Sequence, residues 1–123
     1  MAKVLVVDDD AGIVNVLKHI LSREGYAVCT AADGKEGLAA ARQEKPDLII
    51  LDIMMPEIDG ITATGILFQD PVMRRIPVLI LTAKESARPV MDLLPNVRLY
   101  MTKPFDPPEL LKSVQRLLNT APV

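Results

Sequence analysis

Five side chains in this sequence have the types and the spacing to do phosphate chemistry: Asp8, Asp9, Asp52, Thr82 and Lys103. Asp8 and Asp9 follow the run Val4-Leu5-Val6-Val7, Asp52 follows Leu48-Ile49-Ile50-Leu51, Thr82 follows Val78-Leu79-Ile80-Leu81, and Val97 to Met101 ends at Thr102-Lys103-Pro104. The first three runs are apolar without alternation, which is the pattern of strands buried on both faces of a parallel sheet. Their polar ends then fall at the carboxyl edge, where open α/β sheets bind ligands. Alone, Asp52 reads equally well as the start of a turn through Pro56 and Gly60. Turn chemistry, however, gives no reason for one Thr and one Lys to join three acids at the same edge.

Carboxylates packed this closely cannot all stay ionised without a cation, because like charges raise one another's pKa. An oxygen-only ligand set with no His or Cys cluster selects a hard divalent ion, Mg²⁺ or in its place Mn²⁺. Lys103 adds a fixed positive charge and Thr82 a hydroxyl, so together they form a clamp for phosphate oxygens. A carboxylate aimed into such a clamp can attack phosphorus and form an aspartyl phosphate. Asp52 is the candidate nucleophile.

The elements that must position these groups are legible in the periodicity. Ile13, Val16, Leu17, Ile20 and Leu21 form one helical stripe that Gly25 closes, and Asp10 is expected to cap it. Tyr26 to Ala31 alternates as an outer strand. Asp33 caps a helix running to about Glu44, with Glu36 three residues on. Ile61 to Gln69 is a third helix ended by Asp70-Pro71, and Asp59 is expected to serve the loop turn before it. A fourth helix is placed over Glu85 to Leu94, limited by Pro89. Val97 to Met101 alternates as an edge strand. The last helix opens with Asp106 as cap, Pro107 at its first position and Glu109 behind, and buries Leu110, Leu111, Val114, Leu117 and Leu118. The expected architecture is a doubly wound, five-stranded parallel sheet in the order 2-1-3-4-5, a flavodoxin-like (βα)₅ fold, with its switch point between the first and third strands.

With 123 residues, half of them apolar, the chain is one domain's worth. No run is long enough for a membrane span and no signal peptide is visible, so a cytoplasmic protein is expected. A net charge of −2 and four aromatic residues argue against a nucleic-acid surface. The single cysteine, Cys29, excludes an intrachain disulfide and reads as packing. His19 lies off the first helix's stripe and Arg74-Arg75 reads as solvated charge.

Leu5-Val6-Val7-Asp8-Asp9-Asp10, Leu51-Asp52-Ile53-Met54-Met55-Pro56 through Asp59-Gly60, Leu81-Thr82-Ala83 and Tyr100-Met101-Thr102-Lys103-Pro104-Phe105 together resemble the motif set of two-component response-regulator receiver domains. The resemblance covers essentially the whole chain, in the family's order and spacing. It implies a receiver over residues 1–119, with 120–123 a tail or the start of a linker, either free-standing or cut from a longer protein. It implies that Asp52 accepts a phosphoryl group from a sensor histidine kinase or a histidine phosphotransfer protein. Asp9 and Asp52 would hold Mg²⁺ directly, Asp8 largely through water, and the backbone carbonyl of Met54 would complete the set. Lys103 would neutralise the phosphoryl charge, and its bond to Pro104 would be cis. Thr82 and Tyr100 would switch the face formed by the fourth helix, fifth strand and fifth helix towards a downstream protein target or output domain. Leu94-Pro95-Asn96-Val97 departs from the family's usual Gly-Ala-acid turn, and Pro89 from its regular fourth helix. The alternatives are a Mg²⁺-dependent aspartyl-phosphate phosphohydrolase, which would need a second Asp where Met54 stands, and a flavin binder, which would need a phosphate loop this chain lacks.

Overall fold

The computed structural model describes residues 2–84, 89 and 94–120. Its elements are β1 (Lys3–Val7), α1 (Ala11–Arg23), β2 (Ala27–Ala31), α2 (Gly34–Glu44), β3 (Leu48–Leu51), α3 (Gly60–Gln69), a 3₁₀ turn (Met73–Arg75), β4 (Val78–Thr82), β5 (Val97–Thr102) and α4 (Pro107–Leu118). The strands form one parallel sheet in the order β2-β1-β3-β4-β5. This is the expected flavodoxin-like α/β order. The helix expected over Glu85 to Leu94 falls almost wholly outside the described residues, so α4 is the helix capped by Asp106.

Unbroken apolar strands work here because successive side chains point to opposite faces, and both faces are covered. On one face Val4, Val6, Leu48, Ile50, Leu79 and Leu81 pack against Leu17 and Leu21 of α1 and Leu110 and Val114 of α4. On the other, Leu5, Val7, Ile49, Leu51 and Ile80 pack against Leu38 and Ala41 of α2 and Ala63 and Leu67 of α3. The alternating strands β2 and β5 lie at the edges, as expected. Each fully buried Leu or Ile contributes about 1.5–3 kcal/mol of transfer free energy, so these two layers fix the sheet and its ends.

Helix starts follow from side-chain chemistry. Asp10, Asp33, Asp59 and Asp106 each accept a backbone N–H from the first turn of the helix they precede. For Asp59 this corrects the expectation of a loop-turn role: its Oδ1 accepts the Thr62 N–H at 2.9 Å and caps α3. Val16 is a second correction. It is 48 % exposed, because α1 turns Leu17 and Leu21 inward, with Ile13 and Val14 partly buried beside them, so that Val16 falls at the edge of the buried strip. His19 and the Arg74-Arg75 pair are exposed, and the Arg74 guanidinium lies 4.5 Å over the Phe68 ring.

Two glycines let the loop after β3 close. A Cβ on Gly60 would stand 2.3 Å from the backbone oxygen of Asp52, and one on Gly34 would stand 1.9 Å from that of Ile58. The loop is therefore held against α3 at one end and against α2 at the other.

Candidate functional site

Asp8 and Asp9 directly follow β1, Asp52 directly follows β3, Thr82 is the last residue of β4, and Lys103 directly follows β5. A register shift beside Val78/Leu79 sets Tyr100 opposite Ile80 and Thr102 opposite Thr82, and the Lys103 N–H then donates to the Thr82 carbonyl at 2.9 Å. Backbone pairing alone thus brings the ends of β4 and β5 to the crevice.

Asp8 and Asp52 are 4 % and 6 % exposed, whereas Asp9 is exposed. Oxygens of these three carboxylates lie within 4.8 Å of one another. Asp8 and Asp52 are held in the same way. Asp8 Oδ1 accepts the Asp10 N–H at 2.9 Å, and Asp52 Oδ1 accepts the Ile53 N–H at 2.7 Å and the Met54 N–H at 3.3 Å. The Oδ2 atom of each accepts from Lys103 Nζ, at 2.7 Å for Asp8 and 3.1 Å for Asp52. Each carboxylate therefore keeps one oxygen on the backbone and turns the other into the crevice.

Burial pushes the Asp8 carboxyl above its ordinary range, and the Asp52 charge adds to the rise against the bonds from Lys103 and Asp10. Burial alone would lower the Lys103 ammonium. The hydrogen bonds and charges of Asp8 and Asp52 outweigh it, so its pKa sits above the usual lysine value. Both directions have one origin: two buried carboxylates face a single ammonium, and the crevice favours added positive charge.

Thr82 is fully buried. Its Oγ1 accepts the Lys84 N–H at 3.3 Å and, among the described residues, makes no hydrogen bond to the carboxylates. Tyr100 is 6 % exposed and its hydroxyl donates to the Lys84 carbonyl. Thr82 and Tyr100 are thus joined through the two backbone groups of Lys84. Sequence reading had no signal for this role, since a backbone amide is the same in every residue. Met54 is 57 % exposed at the rim, whereas Met55 packs against the core. Where a phosphohydrolase would need its second Asp, this chain presents a thioether. The Lys103–Pro104 peptide is cis. Of the expected site residues, the structure brings Asp8, Asp9, Asp52 and Lys103 into one cluster; Thr82 and Tyr100 stand beside it, and Met54 joins it through the hydrogen bond from its N–H to Asp52, with its side chain exposed.

The family model for the response regulator receiver domain matches residues 4–115. The chain is 46 % identical over 122 residues to the alkaline phosphatase synthesis transcriptional regulatory protein PhoP of Bacillus subtilis, covering 98 % of this chain and 50 % of that protein. It therefore spans half of PhoP's length. It is 40 % identical over 119 residues to protein PilH of Pseudomonas aeruginosa, covering 96 % of this chain and 98 % of PilH. The crystal structure of response regulator protein TrrA from Thermotoga maritima in complex with Mg²⁺-BeF superposes with a TM-score of 0.85 at 36 % identity, covering 95 % of this chain and 99 % of that one. With fold, acidic cluster and these likenesses agreeing, the chain belongs to the response-regulator receiver domain family of two-component signalling.

Proposed function

We propose that Asp52 is the phosphoacceptor of this receiver. The observation that carries the reading is the division of labour on its carboxylate: Oδ1 is fixed by the Ile53 N–H and Oδ2 is turned to Lys103 in a buried crevice. A carboxylate so oriented can attack the phosphorus of a phosphohistidine on a sensor histidine kinase or histidine phosphotransfer protein. The O–P bond forms and the P–N bond breaks. The electron pair stays on the imidazole nitrogen, which leaves neutral when the ring is protonated on its other nitrogen. Lys103 balances charge on the phosphoryl oxygens, and Thr82 supplies a hydroxyl once it turns from the Lys84 N–H.

The oxygen-only set of Asp8, Asp9 and Asp52 fits a hard divalent cation, and TrrA carries Mg²⁺ with BeF. Asp9 and Asp52, with the Met54 carbonyl and with Asp8 through water, would hold Mg²⁺, and Mn²⁺ could replace it. Bound there, the ion would supply charge neutralisation for phosphate oxygens. Residues 1–119 form the receiver on this reading, with 120–123 a tail or linker. The setting is cytoplasmic, and Thr82 and Tyr100 pass the change to a downstream protein target or output domain. No helix among the described residues is long and apolar enough to cross a membrane.

Intact mass after incubation with Mg²⁺ and acetyl phosphate tests the assignment. One added phosphoryl group in the wild type, absent from Asp52→Asn and absent under chelation, is expected. An adduct that persists in Asp52→Asn would move the acceptor elsewhere, and steady phosphate release without an adduct would favour a phosphohydrolase.

A further inference from the structure

Asn96 stands just before β5, in the stretch where this chain departs from the usual receiver turn. Its side chain is fully buried. The carboxamide Nδ2 donates to the Thr64 carbonyl in α3 at 3.2 Å, while the Asn96 backbone carbonyl accepts the Val78 N–H at the start of β4 at 2.8 Å. A carbonyl can only accept, so the amide nitrogen must face Thr64. That leaves Oδ1 buried and, among the described residues, without a partner. An orphaned acceptor of this kind costs about 1–3 kcal/mol. For simple turn chemistry this is a poor choice of residue.

The bond to Thr64 is one end of a longer chain. Thr64 Oγ1 donates to the Gly60 carbonyl at 2.6 Å, the Gly60 N–H donates to the Ile53 carbonyl at 2.9 Å, and the Ile53 N–H donates to Asp52 Oδ1 at 2.7 Å. Every donor points towards Asp52. Ile53, Gly60, Thr64 and Asn96 are all buried, so water does not compete for the links. The links are joined through the covalent backbone of Thr64, Gly60 and Ile53, and the set terminates on a carboxylate. Phosphorylating Oδ2 leaves Oδ1 as the carbonyl oxygen of a mixed anhydride, which carries less charge and weakens the charge-assisted bond at the head of the chain.

We propose that Asn96 is a positioning residue that ties the start of β5 to the Asp52 loop through Thr64, Gly60 and Ile53, so that modification of Asp52 is felt at the opposite end of the sheet. This route runs through α3. It is separate from the contacts of Thr82 and Tyr100 with Lys84, and it rests on Asp52 being the phosphoacceptor. A ligand can shift such a contact only if it interacts differently with the two states, and the charge lost at Oδ1 supplies that difference.

The test uses the isotopically labelled full chain, with beryllofluoride and Mg²⁺ as the acyl-phosphate mimic and acetyl phosphate for mass. In the wild type, the Asn96 side-chain amide resonances are expected to move on loading, together with the Gly60 amide. In Thr64→Val, which removes only the Oγ1 link, the Asn96 movement is lost while that of the Lys103 amide persists. Asn96→Ala is expected to bind beryllofluoride about fivefold more weakly, the low end of coupling between distant sites. Asn96 resonances that stay fixed in the loaded wild type while the Lys103 amide moves would overturn the proposal, and that measurement needs no variant to fold. Failure to form any mass adduct removes the phosphoacceptor reading, and this proposal with it.

Discussion

The two ends of the sheet each hold a lysine between acids, and they could hardly be less alike. At the amino-terminal end, Lys3 Nζ reaches Glu44 Oε1 at 3.2 Å, with both side chains more than a third exposed, and the Lys3 N–H donates to Asp47 Oδ2 at 2.8 Å. At the carboxyl end, Lys103 is 17 % exposed and its two carboxylate partners 4 % and 7 %. Residue types are shared and distances are similar. Water makes the difference: the open pair is screened and contributes little, whereas the closed triad has lost its hydration and is left with an unbalanced negative charge. A fold that wanted only to join its elements could use the first arrangement everywhere. The second is useful where a cation or a phosphoryl group is to be received.

The comparison can be broken most severely at Lys103. Lys103→Ala leaves two buried carboxylates facing each other, and a loss of about 3 kcal/mol is expected in urea unfolding. Added Mg²⁺ should restore part of it. Equal stability of variant and wild type without metal would mean that the crevice is wetter than its burial implies.

Asp59 separates position from burial, because it lies at the site end of the sheet and is nonetheless exposed. Asp59→Ala should cost about 1 kcal/mol at pH 7, the ordinary worth of a helix cap. The hydrogen bond from the Thr62 N–H holds its carboxyl below 3.8 in the folded state. Its contribution is therefore fully present above the unfolded pKa and is lost as pH falls through the lower folded value. The gap between wild type and variant should narrow below about pH 4, as thermal melts across that range would reveal. A gap that widens on acidification contradicts the assigned bond.

Met54 tests whether the site end stays dry at its rim. Met54→Asn should shorten the lifetime of the Asp52 phosphoryl group several-fold by admitting water, timed by phosphate release. An unchanged or longer lifetime removes Met54 from the shielding. The smallest effect is expected at the other end: Glu44→Gln should alter stability by no more than about 0.5 kcal/mol, and less still in high salt.

Much of this contrast can be read in the chain. Val4 to Val7, Leu48 to Leu51 and Val78 to Leu81 declare themselves central because only doubly covered strands tolerate unbroken apolar runs, and the carboxylates that end them follow at once. Asp33 and Asp106 announce helices because a short acid before a helical stripe has one efficient use. Val16 was misread because a stripe defined by spacing is wider than the strip that α1 actually buries. Asp59 was ambiguous because turns and caps use the same side chain. Asn96 carried no signal: a polar residue after Pro95 looks like a surface turn, and only the crossing of α3 behind it makes the position dry. The pairing of Asp8 with Lys103, 95 residues apart, is likewise a product of topology.

The loop that follows Asp52 is fastened twice, at Gly60 against the Asp52 carbonyl and at Gly34 against the Ile58 carbonyl, and neither contact leaves room for a methyl group. In mechanical terms it is a bracket with no clearance. A displacement at the carboxylate is therefore not absorbed behind it but is passed along the loop's own bonds, from the Ile53 N–H to the Gly60 N–H.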